Sequence, residues 1–161
     1  MSVADGTHEL SQTSVTLSQL MQPADANFMG NIHGGIIMKL ADEAGAVCAY
    51  QFGRTRVVTA AIDRVDFLNP VHVGTLVTFK ASINYAGTTS VEVGVRVEAE
   101  DLDSGAITHT NSAYFVYVAL DDDGRPTKLP PYVPQTEDEK RRHAAAAERR
   151  RLRLKLREPR D

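Results

Sequence analysis

The stretch from Asn31 to Tyr50 constrains the fold more than any other part of the chain. It opens Asn31-Ile32-His33-Gly34-Gly35 and runs on as a nearly unbroken apolar segment, interrupted only by Lys39, Asp42 and Glu43. Apolar residues fall on all sides of the helix this implies, so the helix is expected to be wrapped by protein. It is too short and too charged to cross a bilayer. A carboxylate inside such an element costs on the order of several kcal/mol unless it is paired or used. Lys39 can answer Glu43 one turn on, or Asp42 at three residues, but it cannot fully neutralise both. Asp42 is left without an obvious partner and is the first candidate for function.

The flanking sequence supplies strands. Ser14 to Met21 alternates weakly and reads as a first strand, with a loop over 22–28 around Pro23 and Asp25-Ala26-Asn27. After the helix, 57–68 carries apolar residues at Val58, Ala60 and Ile62, then at Val65 and Phe67, a phase change that predicts a bulge or a sharp bend between Ile62 and Val65. Val77 to Tyr85 and Val91 to Ala99 both alternate cleanly and are joined by Ala86-Gly87-Thr88 as a hairpin. Ala113 to Leu120 is apolar without alternation, as expected of a strand covered on both faces. The expected fold class is α+β, a five-stranded antiparallel sheet curled around one long helix. Its outer side and edges still need cover, which oligomerisation supplies most simply.

Charge divides the chain. Residues 1–136 carry 8 Lys and Arg against 15 Asp and Glu, whereas 137–161 carry 10 against 6. Thr136-Glu137-Asp138-Glu139 reads as a helix N-cap with acids in the first turn, and the arginines from Arg149 onward suit the negative end of the helix dipole. The organisation expected is a flexible segment 1–13, a main domain 14–135 and a charged C-terminal helix 136–161. No aromatic residue interleaves with the tail arginines, which argues against single-stranded nucleic acid as a partner. A solvated helix lying on its own domain or a neighbour is the favoured reading. The lone cysteine, Cys48, sits within the apolar run and reads as a buried thiol in a reducing, cytoplasmic setting. The histidines lack metal-ligand spacing, so no metal site is expected.

Taken together, Asn31-Ile32-His33-Gly34-Gly35 with Lys39-Leu40-Ala41-Asp42-Glu43-Ala44-Gly45 resembles the hotdog-fold acyl-CoA thioesterases. The resemblance is to the branch of small bacterial hydrolases and two-domain cytosolic hydrolases of animals. It continues through Arg56–Asp63, Gly87–Ser90, Phe115–Val118 and Pro134–Arg142, nearly the whole chain. It implies a hotdog fold whose sheets pair edge to edge in a homodimer, with active sites at the interface and a trimer of dimers as the larger assembly. It also implies hydrolysis of fatty acyl-CoA to free acid and coenzyme A, the coenzyme being part of substrate and product rather than a cofactor. Asn31 and Asp42 take the places of the catalytic pair, Asn31 from one subunit and Asp42 from the other.

Thioester hydrolysis needs a polarised carbonyl and an activated water. The helix N-terminus offers unpaired N–H groups and a positive dipole end, and Gly34-Gly35 allows close approach, so Gly35 N–H with Gly34 N–H is the expected oxyanion hole. Asp42 is then a general base or a nucleophile. Each residue also has a plainer reading: Asn31 as a helix cap, Gly34-Gly35 as a turn, Asp42 as a surface partner of Lys39. Candidates to hold the coenzyme A phosphates are Arg54, Arg56 and Arg64 with Thr88, Thr89 and Ser90. A sensor that binds acyl-CoA without cleaving it is the alternative function.

Overall fold

The computed structural model describes residues 12–157, so the expectation for 1–13 falls almost entirely outside the described residues. Its elements follow the expected order: β1 (Ser14–Leu20), α1 (Gly34–Gly53), β2 (Arg56–Phe67), β3 (Leu76–Ala86), β4 (Ser90–Glu100), β5 (Ile107–Leu120) and α2 (Glu137–Lys155). A single 3-10 turn at Pro23–Asp25 interrupts the first loop. The strands form one antiparallel sheet in the order β1-β3-β4-β5-β2, leaving β1 and β2 at its edges.

The alternation of β4 explains how two layers are built on this sheet. Val91, Val93, Val95 and Val97 are fully buried in the core together with Ile37, Ala41, Ala44 and Cys48 of α1. Glu92 points to the opposite face, where α2 lies. Burying each of those valines contributes about 1.5–3 kcal/mol, which is what seats the sheet on the helix. Gly45 marks the closest approach: a Cβ there would collide with the Tyr117 hydroxyl of β5. Within one subunit the wrapping of α1 is incomplete, because Gly35, Lys39, Glu43, Val47 and Tyr50 form an exposed stripe along the helix. The expected Lys39–Glu43 pair does not form; among the described residues neither side chain has an ionic partner.

β2 carries two bulges rather than one, at Ala60 and at Asp63. The cross-strand register places Val57, Thr59, Ile62, Val65 and Phe67 on the α1 side, opposite Ala119, Tyr117, Phe115, Ala113 and Asn111. Val58 therefore faces the other way, against the expected phase. β2 carries exposed apolar residues at Val58, Ile62 and Phe67, with Leu68 just beyond it, and Phe28 and Met29 are exposed on the loop before α1.

The C-terminal helix lies on its own sheet. Thr136 and Glu139 close a reciprocal capping box, each accepting from the other's backbone N–H at 3.1 Å. His143 packs between Tyr85 and Tyr132. Arg149 donates to Glu92 at 2.7 Å and stacks over Tyr114, its guanidinium carbon 3.8 Å from the ring centroid. Arg153 pairs with Asp63. These contacts run from β3 to β2, so α2 crosses most of the sheet's outer face. Glu92 is only 2% exposed, and among the described residues Arg149 is its sole cation. Arg149→Ala should therefore cost about 3 kcal/mol in chemical denaturation, by stranding a buried charge. Adding Glu92→Gln should recover much of the loss; a single variant as stable as the parent would contradict this anchoring.

Candidate active site

Asp42 sits in the third turn of α1, facing the inner side of the β2–β5 pair. Thr59 and Tyr117 stand directly opposite each other in that ladder. Both hydroxyls converge on one carboxylate oxygen: Thr59 Oγ1 donates to Asp42 Oδ1 at 2.9 Å and Tyr117 Oη donates to it at 3.0 Å. Tyr117 Oη also lies 2.9 Å from the Asp42 carbonyl oxygen. The expectation that Asp42 lacks an intrachain partner is thus corrected. Its partners are neutral hydroxyls rather than a cation, so its charge is held in place without being cancelled. Burial, followed by the Asp42 charge, raises the Tyr117 phenol far above its ordinary range, so Tyr117 remains a donor. Oδ2 has no partner among the described residues.

The loop that enters α1 is organised by Asn27. Its Oδ1 accepts from Met29 N–H at 2.9 Å and from Asn31 N–H at 3.2 Å, while its own N–H donates to the Asn31 carbonyl at 2.7 Å. These bonds hold the side-chain amide through Oδ1, and Nδ2 makes no hydrogen bond among the described residues. The Asn31 side chain makes no hydrogen bond among the described residues. The cap position falls to His33, whose Nδ1 accepts from Gly35 N–H at 3.0 Å. Gly35 N–H is therefore occupied in this conformation, which corrects its expected role as the leading free donor; among the described residues Gly34 N–H has no acceptor. A Cβ on Gly34 would come within 3.3 Å of the Phe67 ring. In front of this terminus lies a cleft of about 300 Å³ lined by Asn31, Gly34, Ile37, Phe67, Leu68 and Asn111. Asn111 is buried, and its Oδ1 has no partner among the described residues.

Asp42 follows Gly34 by eight residues, which at 1.5 Å per residue puts it about 12 Å along the helix. One thioester cannot bridge that span to touch the carboxylate and the helix N-terminus of the same chain. The Asp42 carboxylate and the helix N-terminus are separated within the chain, and both lie beside β2, Asp42 against Thr59 and Gly34 against Phe67.

The residues expected to meet phosphate divide into two groups. Thr88, Thr89 and Ser90 form the β3–β4 turn, and Ser90 lies opposite Val118, which in turn pairs with Val58 of β2. Arg56, two residues before Val58, is at that same end of the sheet, where its guanidinium meets exposed Asp122 at 3.4 Å. Arg54 ends α1 in the left-handed conformation, with φ 50°. Arg64 lies further along β2 opposite Tyr114 and pairs with Asp66 at 2.9 Å, so the structure separates it from the others.

The sequence reading missed Thr59, Tyr117 and Asn27. Thr59 escaped because the bulge at Ala60 reverses the phase before it. A signal existed for Tyr117: a hydroxyl-bearing ring on a strand with no polar face needs a buried partner.

Comparison with known proteins places these features. Residues 29–106 match the model of the thioesterase superfamily. The chain is 44% identical to protein VdlD of Helicobacter pylori, over 89% of this chain and 82% of that protein. A hexameric acyl-CoA thioesterase superposes with a TM-score of 0.88 at 36% identity, covering 92% of this chain and 96% of the other. The acyl-CoA hydrolase of Staphylococcus aureus, solved with butyryl coenzyme A and coenzyme A, does so with 0.85 at 33% identity, covering 91% and 90%. This chain belongs to the thioesterase superfamily. The Staphylococcus enzyme has also been solved with alanine in place of an asparagine, of an aspartate fifteen positions later, and of a threonine seventeen positions after that.

Cys48 is buried against the sheet, and burial pushes its thiol up to about 12. It is protonated at neutral pH and contributes no nucleophile. Because the folded thiol holds its proton where the unfolded one, at 9.0, releases it, stability should fall as pH rises from about 9 to 12. The native protein at pH 8 should leave a disulfide thiol reagent unreacted until denaturant is added; prompt native labelling would show an accessible thiolate.

Proposed function

We propose that this protein hydrolyses acyl-CoA thioesters to the free acid and coenzyme A. The observation that carries this reading is the half-buried Asp42 carboxylate, pinned at Oδ1 by Thr59 and Tyr117 with Oδ2 unengaged. The spacing from Asn27 to Asp42 to Thr59 is that of the three residues replaced in the Staphylococcus hydrolase, which supports assigning the reacting set to Asn27, Asp42 and Thr59. Asn27 then polarises the thioester in place of Asn31, whose backbone serves instead to hold Asn27.

Each site is shared between two subunits paired through β2. One subunit supplies Asn27 Nδ2 and the N–H of Gly34, joined by Gly35 N–H once the His33 ring swings aside. Its partner supplies Asp42, Thr59 and Tyr117. Asp42 Oδ2 takes a proton from the attacking water, or attacks the carbonyl carbon itself to form an anhydride that water then opens. The amide and helix N–H donors stabilise the oxyanion, the C–S bond breaks, and the thiolate takes up the proton. Removing one such oxyanion donor typically costs about 2.7–4 kcal/mol. No cofactor enters these steps, because coenzyme A arrives as part of the substrate. The assembly is a homodimer, three of which make a hexamer, in keeping with the hexameric relative. The setting is cytoplasmic, in keeping with a single buried free thiol.

Purified protein should release free thiol from acyl-CoAs of graded chain length. Asp42→Asn should lower kcat by at least about a hundredfold, and Asn27→Ala by a similar factor, as loss of a reacting group does. Asn31→Ala should cost less than either. Tight binding of acyl-CoA without turnover in the parent would contradict hydrolysis, and a larger loss at Asn31 than at Asn27 would reverse their assignment.

A further inference from the structure

We infer that the last turn of α2 reaches past the β2 edge and packs on a second copy of this chain, clasping two subunits together on the outer side of the sheet. The inference rests on the pairing through β2 proposed for the shared site, and it gives that pairing a second contact.

The reach follows from the path of the helix. His143 packs on Tyr85 of β3, Arg149 stacks on Tyr114 of β5 and Arg153 pairs with Asp63 of β2. From β3 to β2 the sheet advances by three strands, about 14 Å, and the ten residues from His143 to Arg153 rise by about 15 Å. α2 therefore runs nearly straight across the strands, and Arg153 stands over the last of them. The helical turn continues beyond it: Leu156 N–H donates to the Leu152 carbonyl at 3.2 Å. Leu156 and Arg157 lie about 4.5–6 Å further on, one strand spacing past β2. In a sheet continued through β2, that position is above β2 of the second copy.

The side chains at this end fit such a contact. Leu152 and Leu156 are one turn apart on one face of the helix, 47% and 86% exposed. With Asp63, Arg64, Asp66 and Tyr114 they line a cleft of about 520 Å³ between the end of α2 and β2. Leucines facing a cleft at a sheet edge gain burial only from something that enters it. Lys155 and Arg157 make no ion pair among the described residues. The register turns Asp66 to the outer face, where its side chain is 36% exposed. One surface thus carries apolar side chains and both signs of charge, as a two-fold contact between identical copies needs. The carboxylates on the cleft wall oppose an anionic lipid surface as the occupant.

The test reads the oligomeric state of the full-length protein. Leu156→Asp disturbs little within one chain, since the side chain is exposed. In sedimentation across a dilution series it should release monomer at protein concentrations at least about tenfold higher than the parent does. Lys155→Glu combined with Arg157→Glu should weaken association too, with the loss shrinking as salt is raised. Leu156→Cys should be joined to a second copy by a short bis-maleimide, the buried Cys48 staying silent. Unchanged association in the Leu156→Asp variant, or no cross-link at position 156, would overturn the clasp. Mixing Asp42→Asn with Asn27→Ala reports on the shared site separately: recovered activity there, beside an unaffected Leu156→Asp dimer, counts against the clasp alone. A parent that is monomeric throughout would overturn both.

Discussion

Much of this structure depends on how one carboxylate is kept inside an apolar helix. Among the described residues Asp42 meets no cation; two hydroxyls from neighbouring strands hold one of its oxygens and leave the other bare. An ion pair would cancel a carboxylate's charge, whereas hydroxyl donors stabilise it and fix its direction. That choice has consequences elsewhere. Tyr117 must reach under α1, so position 45 has no room for a Cβ. Thr59 must face inward from an edge strand, so β2 bulges immediately after it. The edge itself stays open, and with it the exposed apolar side chains that a second copy would cover.

The architecture was legible in the sequence because it rests on periodicity. The alternation of β3 and β4 and the long apolar run of α1 fix two layers. The Thr136–Glu139 box and the acid-to-base gradient of α2 fix the start and direction of the last helix. Legibility ended where a single residue shifts phase. The bulge at Ala60 turned Val58 outward and Thr59 inward, against the simple count. It also ended at side-chain contacts: no pattern rule reveals that His33 caps Gly35, or that Asn27 rather than Asn31 has its amide held by the loop. The glycine pair was read correctly as a helix entry, but which of its two N–H groups is free depends on a ring rotamer.

The outer layer divides its labour by charge. The acids and bases of α2 look in sequence like a solvated, sign-segregated tail. In the fold they sort into anchors, which find a buried carboxylate on β4 and a half-buried one on β2, and surface pairs one turn apart. Surface pairs of that kind contribute little, roughly 0–1 kcal/mol each. The anchors determine where the helix lies, and therefore how far its last turn reaches past β2.

If Asn27 and Asp42 act on one thioester, neither subunit holds a complete site, since the helix N-terminus and Asp42 of one chain are too far apart to share it. The most direct test mixes two inactive variants, Asp42→Asn and Asn27→Ala, after joint refolding. If sites are shared across a two-fold interface, mixed dimers regain one intact site, and activity should return to about a quarter of the parent's at random pairing. If each chain builds its own site, the mixture will stay as inactive as its components.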